Sequence, residues 1–202
     1  MARTYLQTAF DMIETAGAEA LAGDAPEAAI RALARGCYDT LGDREVHTQA
    51  GSLKPGEQQF FVAGGFFVTP DEKYHLLVGN CNFPPEQERL MIPIDGGHLG
   101  WVYENKAKLL LENTDEHGDF RQYLKTSRMG SAIYAPMFWE GVFIGQMVMA
   151  AQARRTMRED DLRVLVACSR IATGAWVAKG GPEWLKRLYP PKNAFRVGAD
   201  GM

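Results

Sequence analysis

Residues 92–161 constrain the fold of this chain more than any other stretch. They run Ile92-Pro93-Ile94-Asp95-Gly96-Gly97-His98-Leu99-Gly100-Trp101, then Lys108 to Asn113 with three consecutive leucines, then Arg128-Met129-Gly130-Ser131-Ala132-Ile133-Tyr134-Ala135-Pro136. A Glu140-Gly141 turn, Val142 to Gly145, and Arg158-Glu159-Asp160-Asp161 complete the series. In order these read as strand, Gly-rich turn, short helix, short strand, second short helix and long hairpin. Such an order predicts one antiparallel sheet with helices laid across it, an α/β fold of the α+β type, and not a doubly wound parallel sheet.

The flanking segments extend that plan. Residues 4–22 place Tyr5, Leu6, Ala9, Phe10, Met12, Ile13, Ala16 and Ala20 at three- and four-residue spacing, an amphipathic helix that should dock on the sheet. In Asp24-Ala25-Pro26-Glu27, Asp24 is placed to cap a second helix over 26–41, with Pro26 in its first turn and Glu27 completing a capping-box pattern. Residues 42–58 read as a mobile loop. Strands follow at 59–69 and 74–79, joined through Pro70-Asp71, and Gly64-Gly65 marks a bulge or a close backbone approach. Residues 89–94 form a third strand, 97–106 a short helix, 108–112 a strand and 117–125 a second short helix. Residues 132–138 and 142–150 pair, and 158–179 form a long helix whose acidic start suits the positive end of its dipole. The divisions are N-terminal helices at 1–42, a sheet domain at 43–180 and a C-terminal extension at 181–202. The terminal helices belong on one sheet face and residues 97–130 on the other.

Composition narrows the function. At 202 residues and 46% hydrophobic, the chain can bury a sizeable core as one domain. A net charge of −3 without a basic run gives no footprint for nucleic acid. No segment reaches the roughly 20 apolar residues of a membrane span, and no signal peptide opens the chain, so a cytoplasmic location is expected. Cys37, Cys81 and Cys168 are odd in number and lack Cys-x-x-Cys spacing, which argues against disulfides or a zinc site and fits a reducing compartment. The four histidines, His47, His75, His98 and His117, lack metal-ligand spacing, so no metal is expected.

Several residues are placed to carry a site. Gly97 and His98 open a helix whose free N–H groups suit a carboxylate or phosphate, although the glycines equally permit a tight strand-to-helix turn. His98 is the histidine singled out, because dipole and burial there favour its neutral form. His75 is read as facing outward, and Cys81 as a loop thiol. Trp101, Phe120, Tyr123 and Tyr134 are the aromatic residues assigned to a cavity, with Asn113, Asp115, Arg128 and Ser131 as polar groups at its junctions. Arg128 is available to pair a ligand carboxylate, a surface salt bridge being the alternative.

The ordered segments quoted above resemble a GAF domain, over about residues 5–180. The resemblance implies a profilin-like, six-stranded antiparallel sheet, with a ligand cavity on one face closed by short helices. It implies a cytoplasmic sensor or regulatory module for a small-molecule ligand, an anion among the candidates, that passes its signal to a separate signalling protein and pairs as a homodimer through its first and last long helices. One branch of the family reduces free methionine-R-sulfoxide with cysteine thiols. The corresponding positions here are Arg89, Leu99 and about Lys125, so that chemistry is not expected. Another GAF-fold activity, and a haem or tetrapyrrole carrier using His98 or His117, are the alternative expectations, and the cofactor is left unknown.

Overall fold

The computed structural model describes residues 4–126 and 128–198. Five α-helices and seven strands follow in the order α1 (Tyr5–Ala22), α2 (Pro26–Thr40), β1 (Phe61–Val68), β2 (Tyr74–Cys81), β3 (Leu90–Pro93), α3 (Gly97–Asn105), β4 (Leu109–Leu111), β5 (Ser131–Trp139), β6 (Val142–Ala151), α4 (Glu159–Ala178), α5 (Gly181–Leu188) and β7 (Phe195–Arg196). The open sheet has the spatial order β4-β5-β6-β1-β2-β3-β7. All pairings among the first six strands are antiparallel, as expected. The seventh comes from the C-terminal extension, whose Leu90↔Phe195 and Met91↔Arg196 pairs lie parallel on the β3 edge. Two residues carry too little pattern to announce a strand.

α2 and α4 pack on one face of the sheet, and α1 lies on that same side against both of them. α1 starts in a capping box in which the Thr4 hydroxyl accepts from the Gln7 N–H and the Gln7 amide oxygen accepts from the Thr4 N–H. α2 lacks the expected Asp24 cap, because its N-cap is Ala25. Glu27 instead reaches Arg89 in a two-pronged pair at 2.7 and 2.8 Å, tying α2 to the start of β3. The β1 irregularity between Ala63 and Gly65 lies at the predicted glycines. A methyl group on Gly65 would lie 2.8 Å from Ile30 Cγ2, so the absent side chain lets α2 sit close to the sheet. Asp161, in the first turn of α4, accepts from the Arg158 N–H, the Gly42 N–H and the Tyr5 hydroxyl, joining the ends of three helices.

Residues 117–126 do not form the predicted second short helix. A 3-10 turn at Thr114–Glu116 precedes an irregular segment. Side chains satisfy its backbone: the Gln87 amide donates to Tyr123 O and accepts from the Lys125 N–H, both at 2.7 Å. The Gln122 amide donates to Leu124 O at 2.9 Å and accepts from the Met129 N–H at 3.0 Å. Residues 42–58 are tethered, with Glu57 held by the buried Arg154 guanidinium. His75 and Cys81 also differ from expectation, since both are buried in β2. No helix among the described residues is long and apolar enough to cross a membrane.

Candidate ligand-binding site

The sheet face opposite the long helices is covered by α3, the irregular segment and the loop that carries Phe83, and there the space lies. A small apolar cavity of about 60 Å³ is lined by sheet residues such as Phe66, Ile92 and Tyr134 and by Leu99, Phe120 and Tyr123 above them. Beside it opens a cleft of about 870 Å³, bordered by α3, β4 and residues 117–121. The cavity falls below the ~300–1000 Å³ of small-molecule sites, whereas the cleft lies within it.

Backbone geometry explains the Gly96-Gly97-x-x-Gly100 pattern. Gly97 has φ +50°, Gly100 packs against the Asp95 backbone too closely for any side chain, and a methyl on Gly96 would lie 2.9 Å from the Tyr123 hydroxyl. The glycines therefore serve the tight turn. Tyr123 covers part of the helix start, while Gly97 and His98 still border the cleft.

His98 borders the cleft with rings of the inner cavity wall behind it. Its ring lies 5.7 Å from Phe120 and 6.4 Å from Tyr134 on the cavity side, and 5.8 Å edge-on from His117 on the cleft side. Burial, reinforced by His117, pushes its pKa down to about 4, so the imidazole is neutral at pH 7. Its buried Nδ1 makes no hydrogen bond among the described residues. Burial also raises the Tyr134 phenol well above its ordinary range, keeping it protonated.

The predicted residues divide into three groups. Gly97, His98 and Trp101 line the cleft, with the Trp101 indole 41% exposed and available to a ligand. Phe120, Tyr123 and Tyr134 line the inner cavity instead. Asn113, Asp115, Arg128 and Ser131 line neither. The Asn113 side chain caps the 3-10 turn by accepting from the Asp115 N–H. Asp115 is desolvated by burial, yet hydrogen bonds from Lys54 at 2.8 Å and Arg154 at 3.0 Å hold its carboxyl below the usual range, and Arg128 makes an ion pair with it at 3.1 Å. Arg128 also donates to Thr114 O and lies over Phe120 at 4.6 Å. Ser131 is on the helix-bearing face, donating to Leu111 O and accepting from the Met157 N–H.

Sequence reasoning passed over Asp95, Glu104, Asp119 and Arg121, all on the cleft wall. Asp119 and Arg121 flank the predicted Phe120, and that adjacency was the available signal. Three carboxylates against one guanidinium beside an exposed indole make a cleft able to hold a cationic group against acid and ring, and an anionic one against Arg121. Among the described residues no group of His, Cys, Asp and Glu is placed to hold a metal ion.

An open antiparallel sheet, long helices on one face and a pocket under short segments on the other define a small-molecule-binding class of domain. The chain belongs to the GAF domain family, whose sequence profile matches residues 25–176. Its fold is similar to the GAF domain of an Acinetobacter phosphoenolpyruvate-protein phosphotransferase, at TM-score 0.66 and 14% identity over 90% of this chain and 97% of that one. The corresponding domain from Coxiella burnetii gives 0.70 and 14% over 87% and 98%. Free methionine-R-sulfoxide reductase from Neisseria meningitidis, solved with its substrate, gives 0.67 and 15% over 90% and 96%. At these identities the likeness shows the fold alone. No curated protein matches the chain significantly.

Proposed function

We propose that this GAF protein is a sensor or regulatory module that binds a small zwitterionic molecule, of the amino-acid class, in the cleft over His98 and acts on a separate protein. The mixed-charge wall carries this reading: Arg121 takes the ligand's carboxylate, while Asp95, Glu104 or Asp119 takes its ammonium group and Trp101 covers its side chain. A purely anionic ligand, the sequence-based expectation, would face three carboxylates against a single guanidinium. The substrate named for the Neisseria relative is likewise a free amino-acid derivative. Thiol chemistry is not part of the proposal, because Cys37, Cys81 and Cys168 are all packed in the core on the opposite sheet face.

The test is calorimetry of the full chain with free amino acids and L-methionine-R-sulfoxide, with mass spectrometry of whatever co-purifies. Trp101→Ala and Arg121→Ala should each weaken binding by about one to two decades. Binding unchanged in both variants, or no binding by any of these compounds alongside a different class of co-purified molecule, overturns the reading. We further propose a cytoplasmic homodimer. Its support is an apolar stripe on α1, with Leu6 56%, Phe10 67% and Leu21 63% exposed, running beside Ile171 of α4. Light scattering should then report a dimer that Phe10→Glu converts to monomer; a wild-type monomer refutes it.

A further inference from the structure

A second groove, of about 460 Å³, lies at the far end of α3 from the helix start, between β5 and the outer surface of α4. β4 pairs with β5 only through Tyr134, so β5 runs on from there with a free edge. Pro136 removes an N–H from that edge, which disfavours the addition of another strand. Between Met137 and Phe138 the β5–β6 register shifts, and both Phe138 and Trp139 end up exposed, at 40% and 42%. Val142, across the tight turn, is 63% exposed. Phe138 is held edge-on to Phe143 at 5.7 Å, so the aromatic rim is supported from beneath.

Charge gives the groove its selectivity. Lys106, Lys108 and Arg170 line it and no carboxylate does, in a chain whose net charge is −3. Lys108 is paired with Glu159 at 2.7 Å outside the lining. Lys106 lies over the Tyr103 and Phe143 rings at 3.7 and 4.7 Å, and no ion pair holds it among the described residues. Arg170 is exposed, and no hydrogen bond or ion pair holds it among the described residues. Exposed Trp and Phe beside an unpaired Arg are the residue types on which protein interfaces concentrate their binding energy.

We propose that this groove docks an acidic segment of a partner protein, an apolar anchor seated against Phe138, Trp139 and Val142 with flanking Asp or Glu side chains on Arg170 and Lys106. It gives chemistry to the trans-acting role proposed above, yet it rests only on the groove's own residues.

The test uses the full chain and a fluorescein-labelled peptide, Glu-Glu-Asp-Leu-Leu-Glu-Phe-Asp-Glu, read by fluorescence anisotropy. Saturable binding that weakens with added salt is expected, together with a loss of about tenfold or more in each of Trp139→Ala and Arg170→Glu. A peptide with Lys in place of every acid should not bind. Because both altered side chains are exposed, far-UV circular dichroism and urea unfolding should match wild type. The proposal is overturned if the acidic peptide fails to saturate, if both variants bind it as wild type does, or if Trp139→Ala dissolves a dimer, which would make a second copy the occupant. Trp101→Ala serves as the control: loss of cleft binding with peptide binding intact would show the two sites failing separately.

Discussion

The two faces of the sheet are built differently. On one, α2 and α4 bring their own backbone hydrogen bonds and bury a continuous apolar surface, with Phe67 stacked on Trp176 at 3.9 Å, both 1% exposed. On the other, the cover is a nine-residue helix and an irregular segment whose carbonyl and N–H groups depend on Gln87 and Gln122. Both the inner cavity and the wide cleft lie there, as do the buried His75 and Gln146. A cover that must find a separate partner for each backbone group opens locally at lower cost than a long packed helix. The difference separates the face that stabilises this protein from the face that has room to bind.

The sharpest way to break this comparison is to truncate one large ring on each face. Trp176→Ala should cost about 3–5 kcal/mol in urea unfolding while the folded variant still binds at the cleft. Phe120→Ala should cost clearly less, since it removes a ring beside space that already exists. Equal losses would mean that the two faces contribute alike.

Next in size is the ionic tether below the α3 face. Arg154 is 3% exposed on its side chain and serves both Glu57 and Asp115. Arg154→Met leaves two carboxylates without their shared guanidinium, and a loss of about 3 kcal/mol is expected, with faster hydrogen exchange in residues 42–58. A loss within experimental error would show that the tether is dispensable.

The pH dependence tests the buried histidine. Burial lowers the His75 pKa to about 4 although Ile94 O binds its Nε2. Its contribution is complete above the unfolded value of about 6.5 and is lost as the pH falls through 4, up to about 3 kcal/mol. Glu27, Glu57 and Asp115, also lowered by their cationic partners, lose theirs at lower pH still. His98, also lowered to about 4, loses its contribution over the same window, so His75→Gln should reduce the slope of the stability profile between pH 6.5 and 4 without abolishing it; a profile as steep as wild type there would assign the effect elsewhere. The smallest change is Cys81→Ala, expected to cost about 1 kcal/mol and to leave calorimetric binding at the cleft unchanged; a binding loss would bring that thiol into the function.

How much was legible beforehand differs between fold and site for a local reason. The stripe on α4 and the Glu140-Gly141 turn, with φ +49° and +80°, are properties of neighbours in sequence and were read directly. Ser131 and Tyr134 were both assigned to the pocket, yet odd and even positions of a strand face opposite ways, and only Tyr134 reaches the cavity. The sequence places a short helix at 117–125, while the amide that binds the backbone of this segment belongs to Gln87, some 36 positions away from Tyr123.

By itself the sequence determined the order of α1 to α4 and of the first six strands, their antiparallel sheet and the family, because periodicity, turns and glycine punctuation act over a few residues. The tertiary structure decided which side chains share the cleft, that Glu27 joins Arg89 instead of capping its own helix, and that the chain's end supplies a seventh strand. Those outcomes depend on groups far apart in the chain competing for the same hydrogen bonds and buried space, a competition settled only once the sheet has brought them together.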